Sequence, residues 1–110
     1  MNSNQIHHLI SDLPGAQRVA EGLNDHREHR HTPESCLVRM ARPRLAKAGL
    51  MKALPRHDTQ AELDLYHLLA SEGNQAYSRY NALIRELVSF ERALDHRLGK
   101  EQSEVGDPRA

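Results

Sequence analysis

From Gln75 to Leu98 the chain runs without a single glycine or proline. No other stretch constrains the fold as tightly, because an uninterrupted run of good helix formers has few alternatives to a long helix. At ~1.5 Å per residue it would span about 36 Å. Positions 77, 80, 84, 87, 91, 94 and 98 read Tyr, Tyr, Ile, Leu, Glu, Leu and Leu, so six of seven suit a heptad seam. Leu83, Val88 and Phe90 widen the stripe beyond that seam. A wide apolar stripe needs at least two neighbours, as in a bundle.

The rest of the chain reads as helices to pack against it. Thr59-Gln60-Ala61-Glu62 has the form of a capping box, with Leu63, Leu65, Tyr66, Leu68 and Leu69 behind it and Gly73-Asn74 as its stop. Thr32-Pro33-Glu34 combines a capping hydroxyl, proline at the first helical position and an acid in the first turn. Leu37, Met40, Ala41, Leu45, Ala48, Met51 and Leu54 continue that helix to Pro55, with Pro43 kinking it or splitting it in two. Ile6, Leu9, Ile10 and Leu13 fall at helical spacing over residues 4–13, capped by Ser3 or Asn4. After Pro14-Gly15, Ala16, Val19, Ala20 and Leu23 resume the period, so Pro14 either opens a second helix or kinks a longer one.

No run alternates apolar and polar residues as a half-buried strand would. Trp is absent and Phe90 is the only Phe, so the core must come from aliphatic side chains with three Tyr at its edge. The expected fold is therefore all-α: a small bundle of four or five helices centred on a C-terminal helical hairpin of 59–72 and 75–98, with a disordered C-terminal tail. The segments are an N-terminal helical arm (1–24), a polar His-rich loop (25–32), a helical core (33–98) and the tail (99–110), Gly99 closing the last helix.

The 110 residues fit one domain. Formal net charge is zero, which gives no general case for nucleic acid or membrane. Cys36 is the only cysteine, so no internal disulfide forms. Neither a signal peptide nor a stretch of ~20 apolar residues is visible, and a cytoplasmic location is expected.

Three features bear on function. Arg39, Arg42, Arg44, Lys47, Lys52 and Arg56 lie between Ser35 and His57 with no acid among them. Such a set can grip phosphates or an acidic protein face. It can equally pair with Asp58, Glu62, Asp64 and Glu72 of the next segment, which has no Lys or Arg. A helix-turn-helix around Gly49-Leu50 fails on length, because Pro55 follows too soon for a recognition helix and the next helix is acidic. His26, His29 and His31, with Asp25 and Glu28 and with Cys36 nearby, could hold zinc or nickel, although the spacing matches no standard site. Clustered imidazoles also make a pH-responsive loop. Tyr77, Tyr80, Ile84, Leu87 and Leu94 are the candidates for contact with a partner helix.

Cys36, in the first turns of its helix, would be either a buried small hydrophobe or a thiol activated by the helix dipole. The pairs His57-Asp58 and Asp95-His96 are adjacent in sequence and so do not face each other on a helix. The residues form no nucleophile elbow and no phosphate loop. The expectation is a non-enzymatic helical interaction protein, an adaptor, inhibitor or small subunit, with a protein partner or self-association. Nucleic-acid binding through 39–56 is the alternative, and metal binding through the histidines a more remote one. No cofactor and no small-molecule substrate is inferred.

Overall fold

The computed structural model describes residues 10–56 and 58–106, with side chains up to residue 99. The expected helix over 4–9, its cap, His57 and residues 107–110 of the tail lie outside the described residues. The described chain is a small all-α bundle: α1 (Ala16–Arg27), α2 (Pro33–Met40), α3 (Arg42–Lys47), α4 (Ala61–Glu72) and α5 (Ala76–Gly106).

The hairpin forms as expected, with α4 folded back on α5. Ala61, Leu65 and Leu69 on α4 and Leu87, Phe90 and Leu94 on α5 are buried at the spacing of one helix face. Phe90 is fully buried, so the single Phe is a core residue. Against α4 packs α2, whose Ser35, Cys36, Leu37 and Val38 are all buried. Four successive buried residues mean that this short helix is covered on every side. Its start is the one the sequence specifies: the Thr32 hydroxyl accepts from the Ser35 N–H and the Ser35 hydroxyl accepts from the Thr32 N–H, with Pro33 next in line.

The N-terminal segment completes the bundle, because α1 packs along α2. Val19, Gly22 and Leu23 make its buried face. Pro14 neither opens α1 nor kinks it: residues 11–15 form a turn, and α1 begins at Ala16 after Gly15 with φ +74°. That left-handed conformation suits glycine, and a Cβ there would lie 2.9 Å from Cγ of Glu86.

Of the two alternatives at Pro43 the chain takes the split, with Ala41 serving as the end of α2 and the start of α3. Other boundaries differ from the sequence expectation. Helix α3 stops at Lys47 instead of running to Pro55. Gly49 takes φ +81°, its N–H bonds the Ala46 carbonyl, and the Leu50 N–H bonds the Leu45 carbonyl. This is a Schellman stop, sealed by the buried pair Leu45 and Leu50. The box expected at Thr59 does not form; α4 starts at Ala61, with Asp58 accepting the Gln60 N–H.

At the far end α5 passes through Gly99 and continues to Gly106, where the sequence predicts a stop at Gly99. No helix of the described residues is long and apolar enough to cross a membrane.

Candidate functional site

The early stop of α3 leaves residues 51–56 as a non-helical strap beside Pro43, Ala46 and Lys47. Between strap and helix lies a cleft of about 480 Å³. Pro43, Ala46, Ala53, Leu54 and Pro55 give it an apolar lining, and Arg39, Arg42, Lys47, Arg56 and Asp58 line the rest. Leu54 is 48% exposed, although most leucines of the described chain are buried or half-buried. The sequence reading placed Leu54 on a continuing helix and so missed this cleft. The signal lay in Gly49 flanked by Leu45 and Leu50, the apolar pair of a Schellman stop.

The six cations of the basic segment divide into two groups. Arg39 is mostly buried and engaged on every nitrogen. Its Nε and Nη2 donate to the two oxygens of Asp58 (2.8 and 3.2 Å), and Nη1 donates to Asp64 at 2.8 Å. This fork holds the Asp58 carboxyl below its ordinary pKa, with help from the Gln60 N–H. Arg44 bonds Asp95 at 2.9 Å and Glu91 at 3.4 Å, reaching α5 instead of the acidic segment. Glu91, the polar member of the predicted seam, thus marks where α3 docks; burial raises its pKa and Arg44 opposes that rise.

Arg42 donates from Nη1 to the Lys52 carbonyl at 2.7 Å and from Nη2 to His26 Nε2 at 2.9 Å, which ties the strap to α3 and to the end of α1. The buried Nε of Arg42 has no acceptor among the described residues. Lys47, Lys52 and Arg56 are exposed and form no ion pair among the described residues. The expected pairing of basic and acidic segments therefore applies to Arg39, while the cations on the strap and the outer face of α3 stay open to solvent.

The histidines do not converge. Asp25, His26 and Arg27 belong to α1, so the polar loop predicted over 25–32 shrinks to 28–32. His29 sits at φ +61° in the helix stop, with the Arg30 N–H on the Asp25 carbonyl. The carboxylates meant for a metal are engaged elsewhere: Asp25 accepts from the Thr32 hydroxyl and from Arg30, and Glu28 pairs with Arg30. Among the described residues no three His, Cys, Asp or Glu side chains are placed to share a metal ion. Cys36 is fully buried, and burial raises its thiol pKa, so the helix dipole does not make it a nucleophile.

His26 has a defined proton state. Arginine has no acceptor, so His26 Nε2 must accept from Arg42 and the ring is neutral. Burial, Arg42, Arg39 and His29 lower its pKa, and Asp58 opposes them. The unfolded chain, with histidine near ~6.5, then takes up the proton first as pH falls. Stability should hold above about pH 7 and decline below about pH 6.5. The variant His26→Gln should flatten that decline in denaturant titrations from about pH 7.5 to 5; an unchanged slope would remove His26 as its source.

On the hairpin, the predicted partner contacts separate. Leu87 and Leu94 are buried in the core and cannot reach a partner. Tyr80 and Ile84 are half-buried against the core, and Tyr77 is 70% exposed. Leu63, Tyr66 and Val88 are exposed as well. Tyr66 and Tyr80 meet edge to face with ring centroids 5.8 Å apart, a contact between α4 and α5.

No protein-family model matches the chain, no curated protein matches it, and no solved structure does.

Proposed function

We propose that the protein is a non-enzymatic interaction protein that meets a protein partner through the outer face of the α4–α5 hairpin. The observation that carries this reading is the exposed apolar set Leu63, Tyr66, Tyr77 and Val88 on two adjoining helices. Tyrosine and leucine left in water suit burial against another protein, and tyrosine is enriched at interface centres. Tyr80 and Ile84 are half-buried against the core, and Tyr80 meets Tyr66 edge to face.

A photo-crosslinking residue placed at position 77 should yield a discrete protein adduct in cells, whether to a partner or to a second copy. The same residue at exposed Asn24 on α1 should yield none. Equal labelling from both positions would overturn the reading. The double variant Leu63→Ser with Tyr77→Ser should remove the adduct formed from a crosslinker at Val88. Both changes lie at exposed positions and should alter stability by no more than ~0.5 kcal/mol each.

Nucleic-acid binding is a second reading, and Lys47, Lys52 and Arg56 are the observation in its favour. Arg39 and Arg44 already have carboxylate partners, so the cationic surface available to phosphates is smaller than the sequence suggested.

A further inference from the structure

We propose that the cleft between α3 and the strap 51–56 is a second docking site, and that its occupant is an extended protein segment rich in acidic and aliphatic residues. The inference rests on the interaction reading only in taking the occupant to be protein; the site is separate from the hairpin face.

Charge complementarity selects the acidic part of the occupant. Lys47 and Arg56 line the cleft, are exposed, and have no ion pair among the described residues. Lys52 adds a third open cation on the strap. Asp58, the acid in the lining, is held by the Arg39 fork and is not free to neutralise them. A run of glutamates or aspartates would meet them without displacing an internal ion pair.

Shape and lining select the aliphatic part. Ala46, Leu54 and Pro55 present aliphatic surface between the cations. Leu54, at 48% exposure, has unburied area that a leucine or valine from the occupant would cover. Ala53, Leu54 and Pro55 are all exposed, so the cleft is open along its length. An open groove accommodates an extended chain, whereas small-molecule sites enclose most of their ligand. None of the described lining residues is aromatic, so the described lining offers no aromatic platform on which a base would stack.

The strap is also held in place before any occupant arrives. Arg42 bonds the Lys52 carbonyl, the Schellman stop fixes Leu50, and Asp58 is clamped by Arg39. A groove formed in advance costs less ordering on binding than a loose loop would.

The test is a titration of the full chain, followed by amide NMR, with an acetylated heptapeptide Glu-Leu-Glu-Glu-Leu-Leu-Glu. Shifts should cluster at Ala46, Lys47, Ala53, Leu54 and Arg56. A peptide with Gln for each Glu, and one with Ser for each Leu, should each bind at least about tenfold more weakly. The variant Lys47→Glu with Arg56→Glu should weaken the parent peptide by about tenfold or more, and Leu54→Ser should weaken it severalfold. These positions are exposed and unpaired, so the variants should fold. The hairpin variant Leu63→Ser with Tyr77→Ser should bind the peptide normally, which separates failure of this site from failure of the hairpin reading. Shifts centred on α4–α5, equal binding of the Gln peptide, tighter binding of a short oligothymidine, or no shift at saturating peptide would each overturn the proposal.

Discussion

Replacing Gly22 with alanine should destabilise the protein by at least about 3 kcal/mol, although alanine is the better helix former by ~1 kcal/mol. Gly22 lies on the buried face of α1 where that helix meets the start of α2. A Cβ at Gly22 would come 2.2 Å from the Glu34 carbonyl oxygen and 2.8 Å from Val38 Cγ1. Ordinary carbon–oxygen contacts begin at about 3.3 Å, so the two helices would have to part by roughly 1 Å. The obstacle is main chain within a helix, which cannot rotate aside as a side chain can. Parting the helices would also open gaps around Val19, Leu23 and Val38, where dispersion contacts are now close.

The melting temperature should fall by on the order of 10 °C or more. Gly99 supplies the control. It is also helical, but its hypothetical Cβ meets nothing within 4 Å. The variant Gly99→Ala should therefore be neutral or up to ~1 kcal/mol stabilising. A stable Gly22→Ala protein would mean that α1 and α2 do not cross at Gly22.

The second large effect is expected at Arg39. Substitution by methionine keeps the stem but leaves the carboxylates of Asp58 and Asp64 beside each other without their shared cation. The site is only partly exposed, with 18% of the Arg39 side chain accessible, so solvent replaces little of what is lost. A loss of about 2 kcal/mol at neutral pH is the expectation, between the values for exposed and fully buried pairs.

The pH dependence gives a check with a definite sign. Asp58 has its pKa lowered in the fold, so its contribution is present above the ordinary carboxylate range and is lost below it, as pH falls through the lowered value. The penalty of Arg39→Met should therefore shrink as pH falls below the ordinary carboxylate range and Asp58 takes up its proton. Adding Asp58→Asn and Asp64→Asn to Arg39→Met should recover much of the loss at neutral pH, as coupled residues do in a mutant cycle. Arg39→Lys should recover less, because an ammonium cannot form the two-pronged contact to Asp58. A penalty independent of pH would mean that the packing of the guanidinium group, not its charge, does the stabilising.

Helix identity was legible in the sequence because it depends on neighbours a few residues apart. The period of the C-terminal run, the Thr32-Pro33 start and the absence of alternating strands all act locally, and the all-α hairpin followed from them. Boundaries were harder where two local signals competed. Thr59 offered a cap, but Asp58 supplied the acceptor for the Gln60 N–H while bound to Arg39 from another helix. Leu54 kept the helical period, yet Gly49 had already ended the helix, and the residue became a cleft wall.

The candidate sites were legible by residue type and not by exposure. Leu87 and Leu94 have the same composition and spacing that a partner-facing seam would have, and no sequence pattern distinguishes an inner seam from an outer one. The three histidines sit within a few positions of one another, but the end of α1 sends His26 toward Arg42 and turns the chain at His29. Proximity in sequence did not become proximity of ligands.

By itself, then, the sequence determined that the chain is helical, where several helices start and which segments carry charge, because propensity, capping and periodicity are short-range effects. The tertiary structure alone decided which charges face water. Arg39 and Lys47 look alike in the sequence, but one lies against Asp58 and Asp64 and the other lines an open cleft, since ion pairing depends on which helices happen to meet.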